Sequence, residues 1–336
     1  MVRGEANRGS TLAPGAPAPP IGAAPRARRR VGPSVTLHGG RPVVPGYPDV
    51  VTSPIPGTGL GVPAEQSFEA DLALALRLAE AADTASMERF DAADLAVDAK
   101  PDATFVTEAD FATERAIRGI LRDERPDDGI LGEEYGTSGS GRRQWIIDPI
   151  DGTHNYLKGI PMWATLIALA VDGVPQVGVV SQPAIGRRWW GATGLGAWTS
   201  EPDGTPRRLH VSATDRIDRA SVSFQSIAQW DEAGRLDDLV RLSRAVWRDR
   251  GYGDAWPYML LAEGRLDFVA EFDVKEYDIA AHFPIIREAG GRVTSFDGDD
   301  TIAARSVMAT NGLLHASFLE LLHPSAPLPH ATDVLS

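Results

Sequence analysis

Two aspartates that could bind metal ions, Asp148 and Asp151, are separated by two residues and follow a short apolar run. The run, residues 145–147, is typical of a buried strand that arrives from the protein core. We expect the chain to turn after it, because Pro149 restricts the backbone and Gly152 permits unusual backbone angles. Carboxylate oxygens are the ligands that hard cations such as Mg²⁺ prefer. The segment therefore predicts two hard cations held close together.

Other oxygen ligands lie elsewhere in the chain, each at the end of a predicted strand or the start of a predicted helix. They are Glu133, Asp278 and the carbonyl oxygen of Ile150. The backbone amides of Gly152 and Thr153 can face an anion at a helix start. Two metals about 4 Å apart would clamp a phosphoryl group and activate water. Taken singly, each acid is more simply explained as an ordinary turn residue or helix cap.

The composition excludes several kinds of chemistry. The chain of 336 residues has no cysteine, which rules out disulfides, zinc–thiolate sites and phosphatases with a cysteine nucleophile. The net charge of the chain is −13. Residues 1–62, with seven arginines and two acids, carry +5, so the remaining residues together carry −18. Such an acidic body argues against a nucleic-acid partner. No apolar run reaches the length of about 18 residues that a membrane span needs, and a reducing cytoplasm fits.

The chain divides into four predicted segments. Residues 1–62 are rich in proline, glycine and arginine without apolar periodicity, so we predict a disordered extension. Its basic cluster at 26–30 could be a transit signal or a tether to an anionic surface, or the extension could be dispensable or reflect a mis-set start codon. The other predicted segments are an N-terminal half with the metal-binding motifs (66–208), a C-terminal half with the specificity residues (209–325) and a tail (326–336).

Strand and helix patterns intermix throughout the body, which predicts an α/β or α+β layered architecture. Apolar residues from Phe68 to Ala79 recur at helical spacing and predict an amphipathic helix. A strand pair, 164–171 and 176–180, is joined by a hairpin signal at Asp172 and Gly173. Further helices are predicted at 109–122 (with Phe111, Ala116, Ile117 and Leu121 inward), 236–246, 256–263 and 276–288, the last bent at Pro284.

Separated motifs give the candidate ligands a common explanation. The motifs are Gly132-Glu133-Glu134, then the long motif Asp148-Pro149-Ile150-Asp151-Gly152-Thr153-His154-Asn155-Tyr156, then Tyr277-Asp278-Ile279-Ala280-Ala281 with Glu288-Ala289-Gly290-Gly291. In this order they resemble the signature of the inositol monophosphatase superfamily, and the resemblance covers residues 66–322. That family usually has tryptophan where this chain has Tyr277, a change that keeps an aromatic side chain. The resemblance implies a five-layer α-β-α-β-α sandwich and a phosphomonoesterase.

The resemblance also implies a role for each motif residue. Glu133, Asp148 and the Ile150 carbonyl would hold the first Mg²⁺; Asp148, Asp151 and Asp278 would hold the second; Glu133 with waters could hold a third. Thr153, Asp110 and Glu133 would be catalytic, with Asp110 accepting a hydrogen bond from the Thr153 hydroxyl, which orients the attacking water. The Gly152 and Thr153 amides would bind phosphate. Direct in-line attack by metal-activated water, lithium sensitivity and a homodimer with tryptophan-rich strands at its interface are further implications.

Within the superfamily, the chain is most similar to the histidinol-phosphatase branch. The segments that carry this similarity are 161–169, 187–190 and 250–254. It predicts L-histidinol phosphate as substrate, a small phosphate monoester whose alcohol carries an ammonium group and an imidazole. Asp254 and Glu271 would pair with this cationic alcohol, and His154 could face it. Asp254 could also cap the helix that starts at Trp256, and His154 could be an ordinary polar loop residue.

Two alternatives stay open at this point. The first keeps the chemistry and changes the substrate to inositol monophosphate or a related sugar phosphate, which is neutral away from its phosphate. The second is a catalytically idle metal- or ligand-binding protein on the same fold. A competing motif, Asp-x-Asp-x-Thr at 297–301, belongs to phosphatases with an aspartyl nucleophile. Only 35 residues follow Thr301, too few for the rest of such a fold, so we predict a solvated turn there.

Overall fold

The computed structural model of the protein describes residues 67–99, 105–200 and 204–323. The predictions for the 1–62 extension and the 326–336 tail lie outside these residues. All described residues belong to the larger of two compact units of the chain, 47–336. None of the helices in the described part combines the length and apolar character that crossing a membrane requires.

Two long helices, α1 (Glu69–Arg89) and α2 (Glu108–Glu124), pack together against one sheet. Between them in the chain lies a small antiparallel hairpin of β1 (Val97–Ala99) and β2 (Phe105–Thr107). The helix α2 buries Ile117 and Leu121 as its spacing predicts. Phe111 and Ala116, predicted to point inward as well, are only partly buried, whereas Glu114 is buried.

The first sheet contains eight strands in the order β10-β9-β8-β7-β6-β5-β3-β4. Their bounds are β3 (Gly129–Gly132), β4 (Gly136–Ser138), β5 (Arg143–Asp151), β6 (Ala164–Val171), β7 (Val174–Gln182), β8 (Arg187–Ala192), β9 (Gly196–Ser200) and β10 (Pro206–Arg208). Only β3 and β5 pair in parallel within this sheet. The predicted hairpin turn between β6 and β7 is confirmed, since Asp172 and Gly173 both have the positive φ of 52° and 78° that a type I′ turn requires.

The second sheet contains five strands in the order β12-β11-β13-β15-β14. Their bounds are β11 (Ser221–Ser223), β12 (Arg248–Arg250), β13 (Phe268–Phe272), β14 (Arg292–Thr294) and β15 (Ser306–Thr310). The remaining α-helices of the described ranges are α3 (Thr153–Leu157), α4 (Ile227–Glu232), α5 (Leu236–Ala245), α6 (Trp256–Ala262), α7 (Glu276–Ile279), α8 (His282–Glu288) and α9 (His315–Leu322). The segment 297–301 is irregular, as predicted for a turn.

The elements stack as five layers, which confirms the predicted α-β-α-β-α sandwich. Helices α1 and α2 cover the outer face of the first sheet, and α6, α7 and α8 lie between the two sheets. Helices α4, α5 and α9 cover the second sheet from outside. Apolar clusters fill the spaces between these layers. Trp189 is buried in the central cluster, whereas Trp190 and Trp198 are only partly buried.

The predicted helix 276–288 is wrong as a single bent element. The structure has two short helices, α7 and α8, separated by a turn at Ala280 and Ala281. A proline lacks the amide that would bond the carbonyl four residues earlier, and its ring crowds that carbonyl. Pro284 therefore interrupts the helix at Ala280 rather than at its own position. The break separates the helix that carries Asp278 from the helix that packs on the first sheet.

Candidate active site

The parallel pairing of β3 with β5 brings two of the predicted metal ligands to one edge of the first sheet. Gly132, the last residue of β3, lies beside Ile147 in the register. The next residues along the two strands are Glu133 and Asp148, and the Glu133 amide donates to the Ile147 carbonyl at 3.1 Å. The sequence-distant carboxylates therefore become neighbours because parallel strands end at the same edge.

A β-bulge aims the two central aspartates into the same space. The strand β5 continues through Asp151, whereas the sequence predicted a turn from Pro149 onwards. Asp148 pairs with Leu166 and Asp151 with Ala164, so β5 has one more residue than its partner over this interval. Residues three apart on a regular strand point to opposite faces. The extra residue reverses that alternation, and bulges are common next to active sites for this reason.

Gly152 ends the strand and begins the short helix α3. Its φ of 84° lies in the left-handed region, which glycine adopts without strain. A Cβ at this position would lie 3.1 Å from the Asp254 carboxylate and 3.3 Å from the Met162 carbonyl, so space and backbone angle both require glycine. The first amides of a helix have no partner within it. The amides at Gly152 and Thr153 are therefore suited to an anion, as predicted.

One cleft of about 150 Å³ collects most of the predicted site residues. Its lining consists of Phe105 and of residues that the sequence singled out: Glu133, Asp148, Ile150, Asp151, Gly152, Thr153, His154, Asp254 and Asp278. Asp278 comes from α7, beyond the first sheet, so the cleft joins the N-terminal and C-terminal parts of the described chain. Two predicted site residues, Asp110 and Glu271, lie outside the lining.

Asp254 does not cap the helix α6, so that alternative is wrong. Its φ of 56° is left-handed, and its side chain accepts a hydrogen bond from Asn155 Nδ2 at 2.8 Å. The amide at the start of α6, that of Ala255, donates instead to Asp151 Oδ2 at 2.7 Å. A metal-ligand candidate thus fixes the end of α6, and the Asp254 carboxylate is left facing the cleft.

Asp110 is buried beneath Thr153. It is completely buried and closes a capping box at the start of α2, accepting from the amide and the hydroxyl of Thr107 at 2.8 and 2.6 Å. The Thr153 hydroxyl lies 3.5 Å from Asp110 Oδ1 and 3.1 Å from the Ile150 carbonyl oxygen. The predicted pair is therefore adjacent, but the carbonyl is the nearer acceptor in this structure.

Glu271 lies behind the cleft on β13. Its carboxylate accepts from the Tyr258 hydroxyl at 2.9 Å and from Gln229 Nε2 at 3.5 Å. Burial raises its pKa to about 7, and the negative charge of Asp254 also contributes. Burial likewise raises the pKa of Asp254 to about 6, against the opposing effects of His154 and the Asn155 hydrogen bond. The two carboxylates predicted to recognise substrate therefore act on one another.

The clustered acids destabilise each other's charges. Burial raises the pKa of Asp148 far above its ordinary value, and repulsion from Glu133, Asp151 and Asp278 raises it further. Asp151 is shifted in the same direction by burial and by Asp254, against its hydrogen bond from Ala255. The pKa of Asp278 rises to about 7, mainly through burial. These carboxyl groups therefore tend to take up protons, and their ionised forms need cations as partners.

The residues fit magnesium on the chemistry of their donors. All the side chains are carboxylates, the Ile150 carbonyl supplies a further oxygen, and Mg²⁺ prefers oxygen ligands. Within the described ranges, Asp148, Asp151 and Asp254 form no ion pair with lysine or arginine. A buried charge is ordinarily paired or bound to a metal. No group of three acids or histidines in those ranges already has the arrangement to hold an ion.

Sequence reasoning missed residues that position the site. Asn155 donates to the Met162 carbonyl at 2.7 Å as well as to Asp254, and it lies within the long motif, which was the available signal. Glu114 accepts from the amides of Glu134 and Tyr135 at 2.8 and 3.3 Å. It thereby holds the loop that carries Glu133. An acid on a helix of ordinary composition gives no sign of such a role.

The five-layer fold and the acidic cleft define a known class of protein. The profile of the inositol monophosphatase family matches residues 66–326, and the chain belongs to this family. An inositol monophosphatase of known structure from Zymomonas mobilis superposes with a TM-score of 0.67 at 33% identity, covering 76% of this chain and 99% of that one. The family assignment predicted from the motifs is confirmed.

Two curated relatives are more similar in sequence. The histidinol-phosphatase of Streptomyces coelicolor is 50% identical over 257 residues, which cover 75% of this chain and 97% of the relative. The histidinol-phosphatase of Mycobacterium tuberculosis is 51% identical over 255 residues, with coverages of 75% and 98%. The chain is a phosphomonoester hydrolase, and the alternative of a catalytically idle binding protein is wrong.

Proposed function

We propose that this protein is a Mg²⁺-dependent hydrolase of L-histidinol phosphate. The observation that carries the substrate choice is the Asp254 carboxylate, which faces the cleft without an ion-pair partner in the described part of the chain. Glu271 lies behind it as a second acid. L-Histidinol carries an ammonium group and an imidazole, so this side of the cleft matches its charge. An inositol phosphate offers only hydroxyl groups there.

The metal ligands are proposed to be the residues that the family resemblance implies. Glu133, Asp148 and the Ile150 carbonyl would hold one Mg²⁺, Asp148, Asp151 and Asp278 a second, and Glu133 with waters a third. Bound magnesium would polarise the phosphoryl group and lower the pKa of water. The carboxylates that repel one another in its absence are the groups whose charge it would neutralise.

The chain itself would orient the phosphate and the water. The amides at Gly152 and Thr153 would donate to phosphate oxygens, since they start α3 and have no partner within it. The Thr153 hydroxyl would donate its one proton to Asp110 or to the Ile150 carbonyl. Its oxygen would then accept a hydrogen bond from the attacking water and orient it. A shortening of the Thr153–Asp110 distance from 3.5 Å on substrate binding would complete this arrangement. The exposed His154 would lie beside the alcohol.

Neutralising Asp254 is expected to change substrate preference. Asp254→Asn keeps the shape and the hydrogen bond from Asn155 but removes the charge. We expect kcat/KM for L-histidinol phosphate to fall about ten- to a hundredfold, because a hydrogen bond to a charged group contributes about 1.5–3 kcal/mol. Turnover of inositol 1-phosphate should be unchanged or higher. The rate of phosphate release from each substrate, measured at several substrate concentrations, gives kcat/KM for both.

The matched control is Asp297→Asn, which removes a carboxylate from the exposed turn at 297–301. It should leave both substrates unaffected. Equal losses on the two substrates in Asp254→Asn would mean that Asp254 supports the cleft without recognising the cation. The substrate assignment would then lose its main support.

Lithium inhibition and a homodimer are proposed from family membership. A monovalent cation that takes the place of Mg²⁺ at Asp151 and Asp278 supplies half the charge to the same carboxylates. We therefore expect lithium to inhibit phosphate release, and sedimentation to give twice the mass of one chain. Full activity in high lithium, or a monomer at assay concentration, would contradict the corresponding proposal.

A further inference from the structure

Tyr258, in the first turn of α6, connects this helix to the acid behind the cleft. It is buried, and its hydroxyl donates to Glu271 Oε2 at 2.9 Å. Its ring stacks on that of His282, with 4.3 Å between ring centroids and 12° between planes. His282 is buried as well, at the start of α8. Two packed rings from neighbouring helices thus fix the direction in which the hydroxyl points.

The other partners of Glu271 are neutral. Gln229 donates from Nε2 at 3.5 Å, and Gln225 also donates to the carboxylate. Within the described ranges, Glu271 forms no ion pair with lysine, arginine or histidine. A carboxylate with neutral donors keeps its negative charge available for a further partner, whereas an arginine would neutralise it. The charged side chains that interact with it electrostatically, Asp254, Asp151 and Asp278, are themselves acids.

The helix that carries Tyr258 is tied to the reaction centre. The Ala255 amide at the start of α6 donates to Asp151, and Asp254 precedes it on the cleft wall. Tyr258 follows within the first turn of α6. One short element therefore sets the positions of a metal-ligand candidate, a cleft carboxylate and the donor to Glu271.

We propose that Tyr258 is a positioning residue that holds Glu271 toward the cationic end of the substrate. This inference rests on the proposed function. The hydroxyl fixes Oε2 of Glu271, and the neutral Gln229 amide lies 3.5 Å from Oε1. The charge of the carboxylate then complements the cation that Asp254 meets directly. Tyr258 touches neither the phosphate nor the reacting water, so its effect is on recognition of the alcohol and not on the chemical step.

The test compares a cationic and a neutral substrate in Tyr258→Phe. The change removes the hydroxyl and keeps the stacked ring. We expect KM for L-histidinol phosphate to rise about five- to twentyfold with little change in kcat, the size expected when a hydrogen bond to a charged group is lost. Values for inositol 1-phosphate should stay within twofold. In a Glu271→Gln background, the same change should have no further effect on KM.

Tyr156→Phe is the matched control, because Tyr156 is equally buried but donates to the Ser86 carbonyl at 2.6 Å. It should lower the melting temperature without separating the two substrates. Suppose that wild type prefers L-histidinol phosphate and that Tyr258→Phe lowers kcat/KM equally for both substrates. Tyr258 then has a merely structural role, and this inference is overturned while the proposed function stands. If wild type prefers inositol 1-phosphate, the proposed function fails and the inference fails with it. Additive effects of Tyr258→Phe and Glu271→Gln would also overturn it.

Discussion

Asp151→Asn is expected to reduce phosphate release at saturating Mg²⁺ by more than about a hundredfold. Loss of a residue that merely supports a metal ligand costs about 10- to 100-fold, and Asp151 is proposed as a ligand itself. The asparagine can still accept the Ala255 amide, which donates to Asp151 at 2.7 Å. The start of α6 should therefore stay in place, and the loss can be assigned to the metal site.

When metal is removed from both proteins, Asp151→Asn should be more stable than wild type. Asp151 contributes to the repulsion that raises the pKa of Asp148, and its own charge is opposed by burial and by Asp254. Removing one charge relieves this repulsion. We expect a higher melting temperature in EDTA and a smaller increase on adding Mg²⁺. Asp297→Asn, in the exposed turn, should change neither value. Unchanged activity in Asp151→Asn would show that the metal assignment is wrong.

The second large effect is the dependence of stability on pH. In EDTA, we expect the free energy of unfolding to fall by about 5 kcal/mol between pH 5 and 8, since two carboxyl groups each lose nearly two pKa units of stabilisation and one unit corresponds to about 1.4 kcal/mol. Folding raises the pKa of Asp278 from 3.8 to about 7 and that of Glu271 from 4.5 to about 7. The native state therefore binds more protons than the unfolded state in this range, and stability declines as pH rises.

Magnesium should reverse most of this decline. A ligand that binds only the native state stabilises it according to its concentration and affinity, and here the cation takes the place of protons on the carboxylates. The stabilising effect of Mg²⁺ should therefore be greater at pH 8 than at pH 5. Urea unfolding at several pH values, with EDTA or Mg²⁺, provides the measurement. A stability in EDTA that is flat or rises from pH 5 to 8 would contradict the electrostatic description of the cleft.

The motifs predicted which residues the cleft brings together, because candidate ligands such as Glu133 and Asp148 follow strands whose apolar runs are visible in the sequence. Hydrophobic periodicity also predicted α1 and α2, and the Asp172–Gly173 pair predicted the hairpin turn. The bulge in β5 was not predicted, since it depends on the register in which β5 pairs with β6, and this register cannot be read from the sequence. Without that bulge, Asp148 and Asp151 would point to opposite faces.

Contacts between distant segments account for the other differences. Asp254 precedes a helix and has the residue type of a cap, but the cap position is taken by a bond from Ala255 to Asp151, over a hundred residues away in sequence. Tyr258 was assigned only to a predicted helix, because its partner Glu271 lies on another element. The break at Ala280 follows from Pro284 by a local rule, and could have been placed correctly by counting four residues back.

The central claim is that this cleft hydrolyses a phosphate monoester with a cationic alcohol and needs Mg²⁺ to do so. The most direct test measures kcat/KM of the purified full chain for L-histidinol phosphate and for inositol 1-phosphate, with Mg²⁺ and with EDTA. We predict a clear preference for L-histidinol phosphate with Mg²⁺ and loss of activity on both substrates in EDTA. Faster turnover of inositol 1-phosphate, or activity that persists in EDTA, would contradict the account.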